Sequence, residues 1–356
     1  MPVLHQLVAG FRRGDAISNE ALLIRDLCAA HGLASDIACL RPFASPRDVR
    51  LTRDLATLER DVRPDDIALL HLSTGGACNR IFRKLPCRKV ILYHNITPPW
   101  FFERLDPATA QRLADGLADA ASLRDVDASV WADSAFNASE LRAMGYADPK
   151  VFPLLVDDSL GTGRPAPERA ARLSEHTLAN ILFVGRLAPN KRHDRLISVF
   201  GCYQRHCNPD SRLVIVGGSG GAEAYKTLLL GDVYLWAAKN VVFTDFVGEA
   251  DLRACYATAS AFVCMSDHEG FCAPLLEAMA WHVPVFAWAA GAVPETLDGA
   301  GVLFEPGTQP KVMAETIHRV LSDPALREAV VKKQDERLAR FRARDAWAEL
   351  RAMLGV

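Results

Sequence analysis

Residues 2–40, PVLHQLVAGFRRGDAISNEALLIRDLCAAHGLASDIACL, hold two short apolar runs separated by one amphipathic stretch. PVLHQLVAG and SDIACL read as buried strands. ISNEALLIRDLCAAHG repeats its apolar residues at helical spacing, and Gly32 stands where a helix would close. Strand, helix and strand in so short a span form the unit of a parallel sheet, because parallel neighbours need a crossover of about a dozen residues.

The alternation continues through DIALLHLST, KVILYHN, ASVWADS and KVFPLLV, and Asn137 in DSAFNASELRAMGY is expected to begin a helix that Gly145 closes. It breaks at 157–177, DDSLGTGRPAPERAARLSEHT, where glycine, proline and charge accumulate, and this stretch reads as a linker. It restarts with NILFVGRL, RLVIVGG, VVFTDFV, SAFVCMS, VPVFAWA and GVLFEP, and 322–356 reads as helical. A chain of 356 residues is too long for most single cores. The expectation is an α/β protein of two doubly wound, Rossmann-like domains facing across a cleft. They span 1–160 and 161–335, with a C-terminal helix at 336–356 that is free to cross back to the first domain. Ligands in such sheets bind beyond the carboxyl ends of the strands.

Lys and Arg total 41 against 43 Asp and Glu, a formal net charge of −2, so no global case exists for a nucleic-acid partner. The nine cysteines form no C-x-x-C pair, which argues for reduced thiols in a cytoplasmic protein and against a disulfide framework or a zinc site. The opening apolar run is too short for a signal peptide, and no uncharged stretch approaches the ~18 apolar residues of a membrane span.

Three strand-end loops in the second half carry the chemistry. ILFVGRLAPNKRHDRL places Arg186 and Lys191 after a buried strand, and two cations in one such loop suit a diphosphate. LVIVGGSGG ends a strand in glycines, among them Gly217, where backbone can approach a ligand closely; a flexible turn explains them equally well. In DHEGFCAPLLEAM, residues 267–279, Glu269 lies before a helix that Pro274 helps to start, and Glu277 lies within it. The free N–H groups at this helix start, near Cys272, Ala273 and Leu275, suit an anion. Were all the steps between them helical, the glutamates would stand about 12 Å apart. That spacing suits a grip on two ends of an elongated ligand such as a sugar–diphosphate–ribose rather than a carboxylate pair sharing a proton. The turn at Phe246 and Val247 is placed to hold a base through its backbone.

FVGRLAPNK, VGGSGG, FTDFVGEADLRACYATASAFVCMSDHEGFCAPLLEAMAWHVPVFAWAAGAVPE and GVLFEPG together resemble the donor domain of retaining GT-B glycosyltransferases of glycosyltransferase family 4, whose Glu-x7-Glu motif is matched by Glu269 and Glu277. The resemblance implies that Arg186 and Lys191 bind the donor diphosphate and that Glu269 meets the hydroxyls of the transferred sugar. It implies that Glu277 binds the ribose, and that the backbone of Gly270 and Phe271 meets sugar and phosphates. A second glycine is common where this chain has Cys272. A family histidine near the transferred sugar corresponds to His94 in ILYHNITPPWFF, and the loop GFRRGDAISNE brings Gly14 towards the cleft.

The resemblance implies a metal-independent, retaining transferase that needs no cofactor. It would move a hexose of mannose or glucose type from a nucleotide diphosphate sugar to a saccharide or polyprenyl-linked acceptor, with donor phosphate helping to take the acceptor proton. RIFRKLPCRK, 80–89, holds five cations and no acid. With Ile81, Phe82 and Leu85 as an apolar edge it would suit the anionic inner face of the cytoplasmic membrane; an ordinary solvated basic face is the alternative. Three rival functions remain: a non-catalytic sugar-nucleotide-binding subunit, a phosphorylase-like enzyme carrying a pyridoxal lysine, and a dinucleotide oxidoreductase, against which the missing G-x-G-x-x-G counts.

Overall fold

A computed structural model describes residues 2–157, 161–175 and 178–356. The chain divides into two compact units, Met1–Asp157 with Asp345–Val356, and Asp158–Arg344.

The first unit is built on seven strands: β1 (Val3–Leu7), β2 (Ala34–Cys39), β3 (Arg53–Asp54), β4 (Ile67–Leu72), β5 (Arg88–Tyr93), β6 (Ser129–Ala132) and β7 (Lys150–Val151). They form one parallel sheet in the order β3-β2-β1-β4-β5-β6-β7, so the winding reverses between β1 and β4. The crossovers carry helices α1 (Ala16–Ala30), α2 (Leu55–Asp61), α3 (Ala77–Lys84), α4 (Pro107–Ser122) and α5 (Ala135–Ala143). Asp15 caps α1 by accepting from the Ser18 N–H at 3.2 Å. The β3 edge strand, with two charged residues and no apolar alternation, gives no signal in the sequence. Helix α5 starts earlier than expected. Ser134 is its cap, accepting from the Asn137 N–H at 3.0 Å, and Asn137 lies inside the first turn. Its side chain is engaged elsewhere, with Asp133 and Asn95.

The second unit contains α6 (Pro167–Ser174), β8 (Ala179–Val184), α7 (His193–His206), β9 (Ser211–Val216), α8 (Glu223–Leu235), β10 (Val241–Phe243), α9 (Glu249–Ala257), β11 (Ala261–Cys264), α10 (Ala273–Ala280), β12 (Val285–Trp288), α11 (Val293–Leu297), β13 (Val302–Phe304), α12 (Pro310–Ser322) and α13 (Pro324–Arg342). Its sheet has the order β10-β9-β8-β11-β12-β13, all parallel, with the reversal between β8 and β11. The stretch expected as linker supplies α6. Its turn is too short and too charged to show a periodic face, yet Leu173 is buried and Arg169 bonds Asp251 on α9 at 3.1 Å. Residues 158–160 and 176–177 of that stretch lie outside the described residues.

Helix α13 runs on to Arg342, so the second unit ends at Arg344 rather than near 335. The chain then turns, Asp345 caps α14 (Ala346–Leu354), and this last helix is part of the first unit. Leu350, Met353 and Leu354 are fully buried in one cluster with Leu4, Ile24, Leu69 and Phe152. Each such side chain contributes about 1.5–3 kcal/mol by leaving water. Among the described residues no helix is long and apolar enough to cross a membrane.

Candidate active site

In the second sheet the reversal point opens between β8 and β11, and the loops that follow these two strands are laced together. Asp267 N–H donates to the Asn190 carbonyl at 2.8 Å, and Asn190 Nδ2 donates to the His268 carbonyl at 3.1 Å. Asp267 receives Arg192 at 2.5 Å and Arg195 at 2.8 Å. At the centre of this lacing, Lys191 Nζ donates to both carboxylate oxygens of Glu269 at 2.6 Å. Burial, the largest single influence, would lower the Lys191 pKa, but the charge and hydrogen bond of Glu269 together with the nearby Cys272 and Cys264 outweigh it and hold the ammonium form. The loop after β12 supports Glu269 from behind. Ala292 N–H donates to the Glu269 carbonyl at 2.9 Å, and Gly291, at φ +57°, lies so close that a Cβ there would stand 2.6 Å from that carbonyl. Arg186, the other expected cation, is exposed in the same β8 loop.

Helix α10 begins at once after Glu269–Gly270–Phe271. Cys272, its cap, adopts φ +69° and ψ +59° and supplies no side-chain hydrogen bond, and Pro274 stands in the first turn. The position where a glycine was expected therefore keeps a glycine-like backbone in a residue that pays about 1 kcal/mol or more for it. Cys272 Sγ lies 3.8 Å from Cys264 Sγ, and both side chains are buried. Phe271 is buried against Phe341, with ring centroids 5.9 Å apart, and its carbonyl accepts from Thr296 Oγ1. Only the steps from 273 onward separating the two glutamates are helical. Glu277 accepts from the buried Tyr256 hydroxyl at 2.6 Å, and the proximity pushes the Tyr256 pKa well up, burial being the larger cause.

Gly217 follows β9, and its φ of +144° is required. A Cβ on it would stand 2.1 Å from the Gly185 carbonyl. Its N–H donates to the Asp245 carbonyl at 3.1 Å, which carries the chain to Phe246, 58% exposed, and to the half-buried Val247. Arg186, Lys191, Gly217, Phe246, Val247, Glu269 and the start of α10 thus all lie at the carboxyl end of one sheet.

The first unit gathers a second cluster at the carboxyl end of its own sheet. His94, just after β5, faces His71 of β4 with Nε2 2.9 Å from His71 Nδ1. His94 Nε2 is also 3.5 Å from Glu20 of α1, and its Nδ1 is 3.4 Å from Asp133, just after β6. His71 Nε2 lies 3.0 Å from Gln6 Oε1 of β1. Gly14, at φ +89°, stays in the loop that leads into α1, its N–H donating to Asn19 at 3.0 Å.

Among the described residues two groups have the ligand types of a metal site: Glu20, His71 and His94, and Cys264, Glu269 and Cys272. In the second, the Lys191 ammonium already takes both Glu269 oxygens. In the first, a 2.9 Å approach of two ring nitrogens is a hydrogen bond, shorter than the roughly 3.3 Å edge of a tetrahedron of ~2.0 Å zinc bonds.

Residues 167–337 match the family described as Glycosyl transferases group 1. The second unit is a glycosyl transferases group 1 domain. The chain is 33% identical to D-inositol 3-phosphate glycosyltransferase of Kineococcus radiotolerans over 221 residues, 57% of this chain and 51% of that protein. It is 38% identical to GDP-mannose-dependent alpha-mannosyltransferase of Mycolicibacterium smegmatis over 109 residues, 31% of this chain and 25% of the relative. It therefore spans about half the length, or less, of the curated relatives it matches. Among solved structures, Anabaena HepE in complex with UDP and glucose is similar over 96% of this chain and 95% of its own, with a TM-score of 0.72 at 19% identity. The fold is GT-B, two parallel-sheet Rossmann-like domains.

Several positions in this chain gave no signal beforehand. Tyr256, Gly291, Gln6, Glu20, His71 and Asp133 are ordinary strand, helix or loop residues by local pattern, and only their distant partners mark them. The 80–89 stretch differs from its reading. Phe82 and Leu85 are core residues, which leaves only the partly buried Ile81 of the expected apolar edge beside the cations. Arg83 holds the Ser122 carbonyl at 2.7 Å, Arg88 the Gly355 carbonyl at 2.9 Å and Lys89 the Leu85 carbonyl at 2.5 Å. Asp125-Val126-Asp127 spells Asp-x-Asp, but it precedes β6, at the end of the strands opposite the histidine cluster.

Proposed function

We propose that the chain is a retaining, metal-independent glycosyltransferase that takes a hexose from a nucleotide diphosphate sugar and passes it to a saccharide or lipid-linked saccharide in glycan biosynthesis. The observation that carries the reading is the set of strand-end groups on the second sheet. A lysine–glutamate pair and an uncapped helix start stand at its reversal point, with Arg186 exposed beside them.

In this reading Arg186 and the α10 N–H groups take the diphosphate charge, and their fixed positions stabilise it as the leaving group forms. Lys191 shares its ammonium between the β-phosphate and Glu269. Glu269 accepts from sugar hydroxyls, and Glu277, oriented by Tyr256, accepts from the ribose. The exposed Phe246 and the Val247 backbone face the base. Relatives named for GDP-mannose and a fold neighbour solved with UDP and glucose support a nucleotide-sugar donor of hexose type. Work at the inner face of the cytoplasmic membrane belongs to the same proposal, with Arg80, Arg83, Lys84 and Arg88 as its exposed cations.

Incubation with UDP-, GDP- and ADP-hexoses and a lipid-linked saccharide tests it. Release of nucleotide diphosphate only with acceptor, an α-linked product from an α-linked donor, and activity that survives a chelator are the expected results. Nucleotide binding without transfer to any acceptor would favour a binding subunit.

A further inference from the structure

The histidine cluster fixes its own protons. Gln6 Nε2 lies 2.9 Å from the Ala21 carbonyl and 3.1 Å from Ser35 Oγ. A carbonyl only accepts, so this end of the amide is the donor and Oε1 faces His71 Nε2 at 3.0 Å. His71 must then carry its hydrogen on Nε2. Burial holds His71 neutral, its pKa pushed well below the usual value, with the nearby His94 charge adding to the effect. Its Nδ1 is therefore a lone pair, and His94 Nε2, 2.9 Å away, must be the donor. The two ring planes differ by 7° with centroids 5.1 Å apart. Ring faces do not stack as close as 2.9 Å, so the rings lie edge to edge, as an in-plane N–H to N bond requires. On the other side His94 Nδ1 faces the Asp133 carboxylate, which as an anion only accepts.

We infer that Gln6 and His71 are positioning residues that lock His94 as a doubly protonated imidazolium at the carboxyl end of the first sheet. The order of donors and acceptors runs from the Ala21 carbonyl through Gln6 and His71 and fixes a hydrogen on His94 Nε2, and the Asp133 carboxylate 3.4 Å from Nδ1 favours the second one. The carboxylates near His94 agree with it. Burial alone would lower its pKa, but Glu20 on α1, Asp133 after β6 and Asp15 at the α1 cap outweigh it and raise the pKa above the ordinary value. His71, the titratable ring in direct contact with His94, is neutral. The inference rests on the proposed function only in its consequence. If the chain transfers sugar and His94 serves that reaction, activity needs the cation, and it falls as pH rises through the raised His94 pKa.

The deciding experiment is long-range ¹H–¹⁵N correlation on the full chain with ¹⁵N-histidine, from about pH 6 to about pH 8. The expected result is one histidine with a neutral Nε2–H pattern, assigned to His71 by its loss in His71→Asn, and one with both nitrogens in the imidazolium pattern at about pH 7, assigned by its loss in His94→Asn. A neutral His94 at about pH 7, a His71 protonated on Nδ1, or stoichiometric zinc retained by the purified protein overturns the lock. This spectrum reads the wild-type chain and decides the matter with no transfer assay, so it separates failure of the lock from failure of the proposed activity. Where transfer is measured, Gln6→Leu frees His71 to change tautomer and removes the acceptor for His94 Nε2–H. A hydrogen bond to a charged group is then lost, and the alkaline limb of kcat moves down by about one pH unit or more. Gln6→Glu, which still accepts from His71, keeps the limb at or above its wild-type position. Equal limbs in wild type and Gln6→Leu overturn the positioning role.

Discussion

Lys191 Nζ stands 2.6 Å from both carboxylate oxygens of Glu269, 78 residues away in sequence. The residue assigned to phosphate and the residue assigned to sugar are therefore one ion pair before any ligand arrives. The pair is mostly buried, with side chains 22% and 8% exposed.

Removing either partner leaves the other charge without its counter-ion in a poorly solvated place. Lys191→Met and Glu269→Gln are each expected to cost about 3 kcal/mol of folding stability. The double variant is expected to cost less than the sum by at least about 1 kcal/mol. Urea unfolding of the four proteins measures this. Additive losses would mean that the pair is not coupled.

Tyr256 orients Glu277 through a 2.6 Å hydrogen bond. Tyr256→Phe is expected to weaken nucleoside diphosphate binding several-fold, in line with one hydrogen bond of about 1 kcal/mol. Glu277→Gln is expected to weaken it further. Calorimetric titration of UDP and GDP provides the comparison, and unchanged affinity in Tyr256→Phe would remove the tyrosine from the site.

Cys272 occupies a left-handed backbone conformation. Cys272→Gly relieves that strain while losing a buried thiol, so the two effects offset to within about 1 kcal/mol. Cys272→Val keeps the burial but puts a β-branched side chain in the left-handed region, and its loss is expected to exceed about 2 kcal/mol. Chemical denaturation orders the three proteins, and a Val variant as stable as wild type would contradict the conformation.

Asp66 is buried, and burial alone would raise its pKa. Hydrogen bonds from the Arg63 side chain and N–H, the Val3 N–H and His5 outweigh this and hold the carboxyl far below the usual range. A carboxylate depressed in the folded state stabilises above its unfolded pKa, about 3.9, and that contribution is lost as pH falls towards the folded value. Asp66→Asn is expected to cost about 2 kcal/mol at neutral pH, with the gap to wild type closing below about pH 4. Thermal melts at both pH values check the sign.

Much of the fold is legible in local pattern. Among the described residues twelve of the thirteen strands fall within apolar runs, most of them because a strand buried on both faces must be apolar throughout. The missing one, β3, is a two-residue edge whose Arg53 and Asp54 meet solvent and so carry no such constraint. Helix α6 escaped because its charged octet buries only Leu173. Arg186, Lys191, Glu269 and His94 were legible as candidates because polar groups at strand ends stand out against apolar runs, whereas Glu277, inside α10, was marked by the Glu-x7-Glu resemblance.

Which of those groups touch was decided by tertiary structure alone. Hydrophobic periodicity records burial, one element at a time, and is silent on strand order. The order β9-β8-β11 puts the Lys191 and Glu269 loops side by side, and the order β1-β4-β5 brings Gln6, His71 and His94 into one line. Cys272 makes the same point at the level of one residue. Its type argues against a left-handed backbone, and it adopts one because the loop after β11 and the start of α10 are held by contacts from Asn190, Thr296 and Ala292 that lie far away in the chain. The sequence determined the elements and the chemistry available at their ends. Only the packing of parallel strands, which brings distant carboxyl ends together, decided which side chains share protons and charge.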